Sequence, residues 1–150
     1  MLFLYIAAAI FFLDRISKTV LIKNLFPDES IAVIDKVFSI TYVKNTGSAF
    51  GLFPNATGFF ILISIIAIAV ITVLLIRLKK EDFLIKLALA LVMGGAAGNL
   101  FDRLMFGYVI DFLDFKIWPV FNLADSLITV GCGLLFFKIF IPGRRNHDKE

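Results

Sequence analysis

The sequence predicts an all-α membrane protein, with four transmembrane helices and a small extracytoplasmic β-sheet supplied by the first outer loop. Three observations carry this prediction. Hydrophobic residues make up 60% of the 150-residue chain. The mean hydropathy is +0.95, well above soluble-protein values. Apolar runs approaching the roughly 20 residues needed to cross about 30 Å of hydrocarbon recur four times. One integral membrane domain over residues 1–150 is expected.

The net charge is only +3, and the basic residues gather in Arg77–Lys86 and Lys138–Lys149 instead of forming a broad stripe. Such clusters set membrane topology, and nucleic acid is not expected as a partner. The single cysteine, Cys132, excludes an intramolecular disulfide and any multi-cysteine metal site.

The first span, Leu2–Ile22, is interrupted by Asp14, Arg15 and Lys18. Asp14 and Lys18 are four apart and share a helix face, where an acid N-terminal to a base can pair. No basic residue precedes the apolar run Leu2–Leu13, and Ala7-Ala8-Ala9 lies inside it, too early for a cleavage site, so the segment is expected to be retained. The second span, Thr57–Ile76, carries no charge. The third, Phe83–Phe101, has Lys86 near one end, where its stem can snorkel. The fourth, Val120–Ile141, has Asp125 near its start and Lys138 near its end. Trp118 and Pro119 just before it fit an interfacial anchor and a span-entry proline, and most of the 18 phenylalanines are expected to pack or face lipid.

Arg77, Lys79, Lys80 and Lys86 join spans two and three, and Arg144, Arg145 and Lys149 follow span four, which makes that side cytoplasmic. Both termini are then inside, and Asn24–Ala56 and Leu104–Pro119 face outward. Pro27-Asp28 marks a turn. Ile31–Val43 alternates, with Phe38, Ile40 and Tyr42 on one face and Val37, Ser39, Thr41 and Val43 on the other, which predicts strands lying on the membrane. Lys44–Gly51 breaks the pattern as a turn, and Gly143–Glu150 is a short charged tail.

Polar residues collect at the outer ends of the spans. Gly94 and Gly98 form a small-xxx-small pair for close helix approach. Asn99, Asp102 and Arg103 follow at i, i+3 and i+4. Taken alone, Asp102 and Arg103 fit a helix-end ion pair with each other or with a neighbour, and Asn99 fits a buried hydrogen-bonding role. Asn122, Asp125, Ser126 and Thr129 share a face at the head of span four. An aspartate at a helix start is ordinarily a cap. Fourteen residues of hairpin, however, can bring Asp111 back beside Asp125, and carboxylates at a bilayer edge are costly unless they serve a polar site. Two close carboxylates share a proton and can supply base and acid for amide hydrolysis. Asp114, three residues beyond Asp111, is an alternative partner by spacing alone. His147 lies in the tail, Ser126 has no activating base nearby, and Cys132 fits a small buried thiol.

With these blocks in place the chain resembles the lipoprotein signal peptidases, the bacterial type II signal peptidases. The resemblance rests on Asp14 with Lys18, Asn45-Thr46-Gly47-Ser48-Ala49-Phe50, Gly98-Asn99 through Asp102-Arg103, Val109-Ile110-Asp111-Phe112, and Phe121-Asn122-Leu123-Ala124-Asp125. It implies that Asp111 and Asp125, not Asp114, are the catalytic pair. Supporting roles fall to Asp14, Lys18, Asn45, Asn99, Arg103 and Asn122. It also implies a substrate, a diacylglyceryl-modified prolipoprotein cut N-terminal to its lipidated cysteine, met from membrane lipid near the outer leaflet of the bacterial cytoplasmic membrane. A monomer without cofactor or metal is expected. The rival readings are a small proton- or cation-coupled transporter lined by Asp14, Asp111 and Asp125, and a non-catalytic tetraspan partner. The clustering of polar faces at one depth favours the hydrolase.

Overall fold

The computed structural model describes residues 1–47, 53, 56–78 and 83–140. Ser48, Ala49, Phe50 and Gly51 of the Asn45 block, Lys79 and Lys80, Ile141, and the tail Gly143–Glu150 with Arg144, Arg145, His147 and Lys149 lie outside the described residues. The chain is mostly helical, with α1 over Leu2–Asn24, α2 over Thr57–Arg77, α3 over Phe83–Phe106 and α4 over Leu123–Phe140. Three of these, α2, α3 and α4, are long and apolar enough to cross a membrane. The polar residues that set α1 apart, Asp14 and Lys18, are wholly buried within the protein.

α3 is the centre of the bundle, packed against α1, α2 and α4. Its small residues make this possible. A Cβ at Gly94 would lie 2.6 Å from the Ala7 carbonyl oxygen of α1, and one at Gly98 would lie 2.5 Å from Asp14 Oδ2. These two glycines are four apart and so face the same neighbour, as the small-xxx-small spacing predicts. Gly95 turns the other way, where a Cβ would lie 2.6 Å from the Ala124 carbonyl oxygen of α4, and α4 reciprocates with Gly131 against Ala88. α2 buries only Ile71; nearly all of its apolar surface is available to lipid.

Three strands, β1 over Ser30–Ile34, β2 over Phe38–Asn45 and β3 over Val109–Asp114, form an antiparallel sheet in the order β1-β2-β3. The α1–α2 link, the first outer loop expected from the sequence, therefore does not supply the whole sheet: β3 comes from the α3–α4 link. The Pro27-Asp28 turn is present, with Asp28 at φ 70, and Lys36 at φ 58 turns β1 into β2. The alternation predicted for Ile31–Val43 is broken by that turn and again by a bulge. Ile40 pairs with Leu113 but Val43 pairs with Asp111, so two β2 residues oppose one on β3. This extra residue reverses the inward face, and Ser39 and Tyr42 are the buried residues of β2. β2 also continues to Asn45, into the segment expected to be a turn.

After β3 the chain reverses at Lys116, φ 60, and Phe121 closes back on the strand. The amides of Phe112 and Leu113 donate to the Phe121 carbonyl at 2.9 and 2.7 Å. α4 consequently starts at Leu123, not at Val120, and Pro119 is in the return loop, not at a helix entry. Leu21, Leu25, Tyr42, Ile110 and Phe112 form the apolar cluster that fastens the sheet to the end of α1. Two further expectations change. Lys86 is only 9% exposed because α3 is enclosed even near its start, and Cys132 is exposed, since α4 presents that face outward.

The glycine contacts give a paired test. Gly95→Val forces a side chain onto the α4 backbone and is expected to cost about 1–3 kcal/mol, lowering the thermal unfolding midpoint in detergent. Gly133→Ala, in the interior of α4 with nothing within 4 Å of the added Cβ, is expected to be neutral or to stabilise by up to about 1 kcal/mol.

Candidate active site

The site is built where the C-terminal ends of α1 and α3, the head of α4 and the β2–β3 edge converge. Its foundation is Lys18, which has no exposed side-chain surface. Its ammonium group lies 2.9 Å from Asp14 Oδ2, 2.7 Å from Asp102 Oδ2 and 3.1 Å from Asn99 Oδ1. An ammonium has three donors and no acceptor, so these three oxygens use its full capacity. Arg15 adds a contact at 2.7 Å to the other oxygen of Asp102, and its guanidinium lies over the Phe101 ring. The carboxylates also hold backbone amides: Asp14 Oδ1 accepts from Ala124 N–H and Asp102 Oδ2 from Ile110 N–H, each at 3.2 Å. One buried ionic cluster thus joins α1, α3, α4 and β3.

Above it lie Asp111 and Asp125, held by three asparagines whose amide orientations are fixed by their carbonyl ends. Asn45 Oδ1 accepts from Gly47 N–H at 3.0 Å, leaving Nδ2 to donate to Asp111 Oδ2 at 2.8 Å. Asn122 Oδ1 accepts from Asp125 N–H at 2.9 Å, leaving Nδ2 to donate to Asp111 Oδ1 at 2.6 Å. Asn99 Oδ1 accepts from Lys18 and from Asn122 Nδ2, leaving its own Nδ2 to donate to Asp125 Oδ1 at 2.7 Å. Asp125 Oδ2 accepts from Asn122 N–H at 3.2 Å. The exchange between Asn122 and Asp125 is a capping box at the start of α4, so the capping role expected of Asp125 holds alongside its contact with Asn99.

Asp111 is 1% exposed. Burial and the neighbouring charge of Asp125 push its carboxyl up to about 7, although the hydrogen bonds from Asn45 and Asn122 and the positive charge of Lys18 pull it down. Asp114 is on the opposite side of β3 from Asp111, bonded to Thr41 Oγ1 at 2.9 Å and to Lys116 Nζ at 2.5 Å. The Lys116 ammonium holds its carboxyl below the ordinary range. Asp114 therefore has no part in the Asp111–Asp125 arrangement.

A cavity of about 730 Å³ opens over the two carboxylates. Asn45, Asn99, Arg103, Asp111 and Asp125 form its polar part, and Phe60, Phe115, Trp118, Phe121 and Ile128 are among its apolar walls. Arg103 donates to the Gly47 carbonyl at 3.2 Å and stacks 4.9 Å over Phe60. The site residues expected from the sequence are therefore gathered together, but the ion pair expected between Asp102 and Arg103 is replaced by two separate assignments. Asp102 turns inward to Lys18 and Arg15, and Arg103 turns to the cavity. Sequence reasoning set Asp102 on the Asn99 face but gave it no place among the site residues, and it gave Arg15 none.

The family model for signal peptidase (SPase) II matches residues 6–141. This chain belongs to the signal peptidase II family. It is 44% identical to a lipoprotein signal peptidase of Moorella thermoacetica, with 93% of each chain covered. It is also 44% identical to one of Brevibacillus brevis, over 94% of this chain and 96% of that one. Among solved structures, a bacterial membrane enzyme determined by the in meso method superposes with a TM-score of 0.90 at 29% identity, covering 99% of this chain and 93% of the other. Like its relatives, this signal peptidase II is a bacterial membrane protease.

Removing one partner of a buried ion cluster leaves an uncompensated charge, at a cost of about 3–5 kcal/mol. Asp102→Leu is expected to lose that much, seen as poor accumulation or a lowered thermal midpoint. Asp114→Asn is expected to lose about 0.5–1.5 kcal/mol, the worth of an ordinary hydrogen bond.

Proposed function

We propose that this signal peptidase II is an aspartic endopeptidase that removes the signal peptide from diacylglyceryl-modified prolipoproteins, cutting N-terminal to the lipidated cysteine. The observation that carries the reading is the facing of two carboxylates by amide donors at the floor of a largely apolar cavity. Asp111 and Asp125 share one proton, because two adjacent carboxylates resist ionising together. As the water oxygen bonds to the scissile carbonyl carbon, one water proton passes to the ionised carboxylate. The protonated member gives its proton to the carbonyl oxygen, and a gem-diol forms. On collapse the C–N bond breaks, the leaving nitrogen takes the proton first drawn from water, and a gem-diol hydroxyl returns a proton to the other carboxylate. The dyad is thereby restored.

The domain is a single four-span unit. At 23 residues α1 is about 35 Å long, sufficient to cross the hydrocarbon core, and its ionic residues are turned into the bundle. Arg77 and Lys138 lie at the bundle end opposite the sheet, which supports cytoplasmic termini and a site near the outer leaflet of the bacterial cytoplasmic membrane. In this reading the protein acts as a monomer that meets its lipid-anchored substrate from the bilayer. Asn45, Asn99 and Asn122 orient the dyad, Asp14 and Lys18 support it from below, and Arg103 engages substrate carbonyls or lipid. A transport pathway is not supported, since Asp14, Lys18, Asp102, Asp111 and Asp125 gather at one end of the bundle and, among the described residues of the spans, Lys86 is the one buried charge at the other.

Two tests follow. In a gel-shift assay with purified protein and a diacylglyceryl-prolipoprotein, Asp111→Asn and Asp125→Asn are expected to abolish cleavage, whereas Asp114→Asn retains it. Cleavage by either of the first two contradicts the dyad. The single shared proton also sets a pH dependence. As pH rises through about 7 the Asp111 carboxyl gives up its proton, so kcat/KM is expected to fall on the alkaline side with a midpoint near that value.

A further inference from the structure

We infer that Lys18 is a positioning residue for catalysis, its ammonium locking the Asn99 amide so that Asp125 meets a donor and serves as the carboxylate that takes the proton from water. The inference rests on the aspartic-dyad reading and goes beyond it by giving the two carboxylates different roles. Lys18 does not touch the cavity and lies one residue below the dyad, its link upward being the 3.1 Å bond to Asn99 Oδ1. An asparagine side chain can rotate to exchange its oxygen and nitrogen ends. With Lys18 beneath it, the rotated state would set an NH2 group against an ammonium, and Nδ2 is therefore fixed toward Asp125 Oδ1 at 2.7 Å. Polarisation along the chain from ammonium to amide to carboxylate strengthens that bond.

The two members of the dyad differ accordingly. Asp125 sits in the first turn of α4, accepts a backbone N–H from Asn122 and is connected through Asn99 to a full positive charge. A helix N-terminus adds to the preference for a negative charge there. Asp111 sits on a strand, and its two side-chain donors, Asn45 and Asn122, are bound at their carbonyl ends to backbone amides instead of to an ammonium. The charged groups around this path are Asp14 and Arg15 on α1, Asp102 and Arg103 on α3, and Asp111 on β3. Asp14 and Asp102 are balanced by Lys18 and Arg15; Lys18 reaches Asp125 through the directed donor of Asn99, whereas it acts on Asp111 through its charge and through Asn122, which shares the Asn99 oxygen.

The test must separate positioning from folding. Lys18→Met alone leaves surplus negative charge, so it is combined with Asp14→Asn, which keeps the acceptor for Ala124 N–H and preserves the Arg15–Asp102 pair. In this charge-balanced variant, with folding checked by thermal unfolding, kcat is expected to fall by at least about tenfold with KM within about twofold. The acidic limb of the kcat–pH profile is expected to move to higher pH, since the proton-accepting carboxylate has lost its supporting donor. Asn99→Ala, which leaves the ionic cluster complete, is expected to move the same limb in the same direction. Adding it to the charge-balanced variant is expected to bring no further loss. An unmoved acidic limb in either folded variant, or additive losses, overturns the inference. Should the double variant not accumulate, an unmoved limb in Asn99→Ala still overturns the inference. Asp111→Asn run beside them separates the two claims, because activity surviving it contradicts the dyad itself, whereas an unmoved limb beside inactive Asp111→Asn contradicts only the positioning role.

Discussion

The arrangement depends on a lysine with no access to water. Lys18 is surrounded by Asp14, Asp102 and Asn99, and a charge taken out of water at such depth is tolerated only when its partners replace the lost hydration. Each partner has a second duty that carries the order outward. Asp14 receives the first turn of α4, Asp102 receives β3 through Ile110, and Asn99 receives the dyad. The helices come close enough for this only because Gly94, Gly95 and Gly98 leave no side chain between α3 and its neighbours. Replacement of such a cluster by apolar residues is often neutral for stability, so its retention here is best accounted for by the geometry it imposes on the residues above it.

The sheet has a comparable dual use. Its apolar underside is fixed to α1 by Leu21 and Leu25, and its edge strand β3 delivers Asp111. Closure of Phe121 onto Leu113 then places Asn122 next to that carboxylate and starts α4 with Asp125 already in a capping box. The two aspartates, fourteen positions apart in sequence, are brought together by one strand, one reversal and one helix start. The donors aimed at them are fixed before substrate arrives, the condition under which polar groups stabilise developing charge without reorganisation.

Much of this was legible in the sequence. The i, i+3, i+4 spacing placed Asn99, Asp102 and Arg103 on one face, the Asp14–Lys18 spacing gave a helix pair, and Gly94 with Gly98 gave a close helix approach without naming α1 as the partner. The parts that were not legible have physical reasons. β3 is buried on both faces, so Val109–Asp114 has no alternation to mark it as a strand. Val120 and Phe121 continue the apolar run into α4, and the pairing of Phe121 with Leu113, together with the Asn122–Asp125 capping box, sets the helix start beyond them. The bulge in β2 depends on its partner strand, and no local pattern encodes it. Cys132 and Lys86 were misplaced because burial in lipid and burial in protein demand the same apolar neighbours.

The most direct measurement of the central claim is an infrared titration of the purified protein carrying 13C-labelled aspartate. One protonated carboxyl band that disappears on passing through about pH 7 in the wild type, and is absent from the Asp111→Asn variant, is the predicted result. Complete ionisation of the aspartates well below that pH, or a band that persists unchanged in Asp111→Asn, contradicts a dyad in which Asp111 holds the shared proton.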